Sequence, residues 1–176
     1  MLKGLSFRKL KEVVGIEADA FVVLTNQKTG AVRVIPGRNL VTDEGDKFYA
    51  QSACGETPTK TFANLYLATS GPDPVLKTTD YDDFGGITGE KAPTATYPKT
   101  NDGDSDNTGA GVDVISWKYE YLTSDGPFTD ITHSFISVAS AGAGEAILNG
   151  YKWAAAWSKD AATSAKIFAN HTVNGT

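Results

Sequence analysis

Asp102-Gly103-Asp104-Ser105-Asp106 sets carboxylates at alternate positions, with Asp113 eleven residues after Asp102. That spacing partly matches a calcium loop, whose oxygens wrap a hard cation from positions 1, 3, 5 and 12. Asn107 stands where the turn glycine belongs, Asp113 is shorter than the usual bidentate Glu, and a strand rather than a helix follows at Val112. A solvated turn accounts for Asp102, Asp104, Asp106 and Asp113 more simply, since Asp, Gly and Ser favour turns for backbone reasons. The expectation is that folding does not require calcium.

Two histidines, His133 and His171, are too few for a histidine-rich metal centre. A serine nucleophile would need a strained elbow, and no Gly-x-Ser-x-Gly occurs. Both histidines read as side chains satisfied by hydrogen bonds within a sheet. Cys54 has no cysteine partner and reads as a small buried packing residue. Asp82-Asp83 invites a glycosidase reading, but that chemistry needs a set separation across a cleft, and adjacent acids in a Gly-rich loop are normally solvated. Phe84-Gly85-Gly86-Ile87-Thr88-Gly89 lacks the lysine and following helix of a phosphate loop. Asn170-His171-Thr172 and Asn174-Gly175-Thr176 match the glycosylation sequon, to which no role is given. No catalytic, cofactor or metal residue is assigned, and the chain reads as a non-enzyme.

The elements that must position these residues are mostly strands. Phe21–Thr25 and Ala31–Ile35 are β-branched runs around a polar loop ending in Gly30, a hairpin signal, and Pro36-Gly37 should stop the second. The one helix is Glu44 to Cys54, capped by Thr42 or Asp43, with Phe48, Tyr49, Ser52 and Ala53 as its buried stripe. Asn64–Ala68 is a further strand. The 42 residues from Ser70 to Gly111 hold seven Gly and four Pro, and their acids outnumber Lys77, Lys91 and Lys99. Tyr81, Phe84 and Tyr97 favour an ordered loop over a linker, because a stretch this long without structure is uncommon inside a compact domain.

Strands dominate again beyond it. In Val112–Leu122, Ile115, Trp117, Tyr119 and Tyr121 share one face while Lys118 and Glu120 take the other. Ile131–Ala139 follows; Asn149-Gly150 should turn a hairpin between Ala146–Leu148 and Tyr151–Trp157, and Ala165–Val173 closes the set. Seven or eight strands and one helix imply a mainly β fold, an antiparallel β-sandwich or jelly roll with one short helix (about 44–54) and a long ordered loop (70–111). Residues 1–18 form a basic N-terminal arm, carrying Lys3, Arg8, Lys9 and Lys11 with no acid before Glu12; 19–176 form a single β-sandwich domain. Trp117, Tyr119, Tyr121, Tyr151, Trp153 and Trp157 offer either a sugar platform or core, and strand alternation predicts burial for at least half.

With 16 basic and 21 acidic residues in 176, the net charge is −5, which argues against a nucleic-acid module. No apolar run nears the roughly 20 residues of a membrane helix, and no secretion signal follows the basic start.

Asn39-Leu40-Val41-Thr42-Asp43-Glu44-Gly45, then a short helix, then Leu65-Tyr66-Leu67-Ala68-Thr69-Ser70-Gly71 and a Pro-containing loop reaching Thr79-Asp80, resembles small virion structural proteins of tailed bacteriophages. Ile131-Thr132-His133-Ser134-Phe135-Ile136 with its following strands is similar to the C-terminal half of the same group. Ala68-Thr69-Ser70-Gly71 departs from the glycine-flanked strand end usual there. The resemblance spans Asn39 to Val173 and carries no catalytic residues. It implies a capsid decoration (cement) protein that stabilises the major capsid shell, or else a head-fibre, tail or baseplate part. The implied partners are the major capsid protein or other virion proteins and further copies of this chain, a trimer being favoured, with no nucleic acid and no membrane. The implied location is the virion, favouring the capsid surface, after synthesis in the host cytoplasm. A carbohydrate-binding β-sandwich using exposed aromatics and calcium is the reading from a different class.

Overall fold

The computed structural model describes residues 16–173, so all but the last three residues of the basic arm lie outside the described residues. Nine strands and one helix follow in order: β1 (Ile16–Asn26), β2 (Val32–Val41), α1 (Asp43–Ala53), β3 (Asn64–Ala68), β4 (Thr88–Lys91), β5 (Lys99–Thr100), β6 (Val114–Tyr121), β7 (Phe128–Ser137), β8 (Ile147–Lys159) and β9 (Thr163–Val173). The fold is mainly β and antiparallel, as the alternating runs require. The strands form one continuous curled sheet, a half-barrel in the order β4-β3-β7-β8-β2-β1-β9-β6-β5, rather than two separately bonded sheets. Curling brings its two ends together: Tyr121 Oη on β6 donates to the Gly89 carbonyl on β4 at 2.6 Å, and Tyr119 Oη to the Ala63 carbonyl at 2.8 Å. Buried tyrosines thus satisfy their hydroxyls while their rings fill the concave side.

All six aromatics that might have formed a platform are buried in that core, beside Leu65, Leu67, Ile131 and Ile167. None is left for stacking a sugar. A second, smaller cluster of Tyr66, Phe84, Phe135 and Ile147 is covered by the 70–87 segment. The helix starts one residue earlier than expected, with Thr42 Oγ1 accepting from Gly45 N at 3.1 Å as its cap. Phe48 and Tyr49 do face inward, but Ser52, Ala53 and Cys54 are exposed, because the last turn runs past the sheet. The expectation of a buried cysteine is therefore corrected.

Three further corrections concern punctuation. Pro36-Gly37 does not end β2, which runs on to Val41. Pairing with β8 begins at Gly37, so Pro36 lies where no donor is needed on that side. Asn149-Gly150 is not a turn. Both residues lie inside β8, paired with β2 on one side and β7 on the other. Gly150 is small because Val75 and Phe84 pack over it; a Cβ there would meet Val75 Cγ1 at 2.9 Å. Finally, the long loop is ordered but contains a 3₁₀ turn at Tyr81–Asp83 and the two short edge strands β4 and β5. Among the described residues no helix is long and apolar enough to cross a membrane.

Candidate functional site

The alternating acids lie on the convex face of β6 and β9, and each is drawn to a different partner. Asp102, its side chain fully buried, accepts from Tyr97 Oη at 2.6 Å, from Asn107 Nδ2 at 2.9 Å and from the Asp104 amide at 3.2 Å, with Lys99 Nζ 3.2 Å away. Asp104 pairs with Lys118 at 2.7 Å, and Asp106 with Lys166 at 2.6 Å. Burial alone would raise the Asp102 pKa, but the Tyr97 and Asn107 hydrogen bonds outweigh it and bring the value down to about 2. Asn107, Asn170 and Ser116 close the cluster underneath, with Asn170 Nδ2 donating to Asn107 Oδ1 at 2.8 Å and Ser116 Oγ to Asn170 Oδ1 at 2.8 Å. Asp113 stands apart and exposed. The loop acids thus clamp residues 97–107 onto the sheet, with lysines where a calcium loop would place its ion. Chelator should leave the melting temperature unchanged. Calcium at about a thousand times the Kd of a genuine site would add about 4 kcal/mol, so a rise of several degrees in a calorimetric scan would refute this.

The histidines occupy separate environments. His171 is fully buried in the concave core, where the Tyr49 hydroxyl meets Nδ1, the Asn149 amide meets Nε2 at 2.5 Å, and Trp117 Nε1 donates to Tyr49 Oη at 3.0 Å. Desolvation brings its pKa down to about 3. His133 lies beneath the 70–87 segment against Phe84, between Thr132 Oγ1 at 2.8 Å and the Pro72 carbonyl at 3.3 Å, and burial lowers its pKa too. The sheet does not bring them together. Asp83 staples its own turn, accepting from the Asp80 amide at 3.0 Å, and Asp82 ties that turn to the β7–β8 connection, accepting from the Gly144 amide at 3.0 Å. Phe84–Gly89 leads into β4, not a helix. Asn170 of the first sequon is buried and hydrogen-bonded, and Asn174 lies outside the described residues.

What the fold leaves open is a surface. Among the described residues β2 pairs with β8 only from Gly37 to Val41, so none of their strands lies on the outer side of Val32–Pro36, and Ala154, Ala155 and Ala156 of β8 stand exposed. Val32 is 61% and Val34 57% exposed. A groove of about 510 Å³ begins where the strands diverge, between Pro36, Gly37 and Arg38 on one side and Trp153 and Ala154 on the other, with the Lys152–Asp73 ion pair at its rim. The Lys152 bond holds the Asp73 carboxyl below its usual range. Gly37 makes room for the Trp153 ring, which a Cβ would approach to 2.7 Å. Apolar walls rimmed by charge suit a protein partner. The signal was present in Val32, Val34 and Pro36, whose exposure depends on where the neighbouring strand begins to pair.

Comparison of the chain with protein-family models, with curated proteins and with solved structures finds no match.

Proposed function

We propose that the protein is a non-enzymatic bacteriophage virion structural protein, a capsid decoration (cement) protein that stabilises the major capsid shell. The observation that carries the reading is the contrast between committed and free groups. His133, His171, Asp102, Asp104 and Asp106 are used inside the fold, whereas the β2 edge and its valines face outward. The sequence resemblance supports a virion setting. In this reading the curled sheet works as a sandwich, a rigid body that presents one apolar edge and a basic arm across a joint between capsid subunits. Association into a trimer would repeat that contact about a symmetry axis. A specific joint needs about 1,200 Å² or more of buried surface, more than the edge alone offers, so the arm shares the work.

The test adds full-length protein, protein lacking residues 1–11 and a Val32→Asp/Val34→Asp variant to shells that lack it, then compares occupancy after sedimentation. Full-length protein should bind. Both variants should bind about tenfold more weakly, a loss of about 1.4 kcal/mol. Contacts made by the exposed arm should also weaken with salt. Equal occupancy for all three would remove edge and arm from the mechanism, and failure on every shell alongside binding to tails would move the protein to the tail.

A further inference from the structure

A second apolar surface lies at the opposite end of β1 from the Gln27–Ala31 turn. Tyr49, Ala50 and Ala53 of α1 face Ile115 of β6 and Val173 of β9 across a groove of about 640 Å³, with Asp46 at its edge. Ala50 and Ala53 are exposed, Val173 is 42% exposed, and Val112, 79% exposed, stands one residue before Asp113, whose carbonyl accepts from the Val173 amide at 3.0 Å. The corner stays acidic on balance: Asp43, Glu44 and Asp46 fill the first turn of α1 and Asp113 is close by, against Lys47, 3.8 Å from Glu44, and Lys77, 2.5 Å from Asp46, with no base in the last turn.

The chain itself supplies a matching occupant. Ile16 pairs directly with Val173, a wall of the groove, so residues 1–15 join the fold at that point. They carry Leu2, Leu5, Phe7, Leu10, Val13 and Val14 among Lys3, Arg8, Lys9 and Lys11. We infer that apolar side chains of residues 2–14 fill the α1–β6–β9 groove of their own chain and turn the basic ones toward the acidic rim and solvent. A segment tethered beside its site meets it at an effective concentration on the order of millimolar. At micromolar protein, a second copy cannot compete with that. Apolar burial supplies the attraction, and the acidic rim selects a basic segment. The inference does not rest on the virion reading, since it concerns the free protein.

Cys54 caps α1 beside Ala53 and is the only cysteine. Leu5→Cys, Phe7→Cys and Leu10→Cys are each made in the full chain and oxidised gently at micromolar concentration. At least one should form a disulfide to Cys54 within a single chain, about tenfold faster than Thr29→Cys, placed in the turn at the far end of β1. Adding Ala53→Arg, a substitution at an exposed position that helices tolerate, should slow that cross-link about fivefold. Rates no greater than the Thr29→Cys control would overturn the proposal. So would disulfides that join two chains, or a rate that Ala53→Arg leaves unchanged. Shell binding is not read in this experiment, so its failure and that of the decoration reading are separable.

Discussion

Acidification from pH 7 to pH 4 should destabilise the fold by about 3 kcal/mol through His171 alone. In the unfolded chain the imidazole titrates near 6.5, whereas in the core it stays neutral until about 3. Between those values the unfolded state binds a proton that the native state refuses, so stability falls with falling pH. Each unit in the window costs about 1.4 kcal/mol. Asp102 works in the same sense but lower on the scale. Its contribution is complete above its ordinary value of 3.8 and is lost as pH falls toward about 2. The interval from pH 6.5 to 4 therefore reads the histidines, and below it the clamp adds to His171, whose own loss ends near pH 3. Denaturant titrations at intermediate pH values should show a steep loss in the parent protein and a flatter one in His171→Gln, which starts less stable. His133→Gln should flatten the curve less, because the Pro72 carbonyl beside that imidazole favours its charged form and offsets part of the effect of burial. Parallel curves for the parent and His171→Gln would mean that water or a cation reaches the imidazole.

The same residue shows how far the sequence could be read. Alternation placed Trp117, Tyr119 and Tyr121 on one face, and that face is the core. The helix, its Thr42 cap and the β1–β2 hairpin follow from local chemistry, and all three are present. Punctuation failed where its cause was tertiary. Asn149-Gly150 has the composition of a tight turn, yet Asn149 is buried to meet His171, and Gly150 is small because Val75 and Phe84 lie over it. Neither reason is local. Likewise the Asp102–Asp106 spacing matched half of a cation loop, and only the fold brings Lys118 and Lys166 beside it. The open β2 edge was hidden for a related reason: exposure of Val32 and Val34 depends on where β8 begins to pair.

Gly45→Ala should lower stability by about 2 kcal/mol. Two effects oppose each other. Alanine in place of glycine inside a helix is worth about 1 kcal/mol in favour of the variant. Against it, a Cβ at Gly45 would lie 2.1 Å from the Leu148 carbonyl oxygen and 2.7 Å from Val41 Cγ1. The nearer obstacle is backbone at the start of β8, so no side chain can swing aside. Overpacking of this kind costs about 1–3 kcal/mol and sometimes more, and the clash should prevail. Thr42 raises the damage, because its amide donates to that same carbonyl at 3.0 Å while its hydroxyl caps Gly45. Pushing α1 off β8 weakens both bonds. At about 2–4 °C per kcal/mol for a chain of this size, the melting temperature should fall by about 4–8 °C. Gly103→Ala, where a Cβ meets nothing within 4 Å, should stay within about 0.5 kcal/mol. If the two variants melt together, α1 does not sit flush on β8. If Gly45→Ala falls as expected, the displaced helix carries Tyr49, Ala50 and Ala53 with it, the groove against Ile115 and Val173 widens, and cross-linking from residues 5–10 to Cys54 should slow in the same protein.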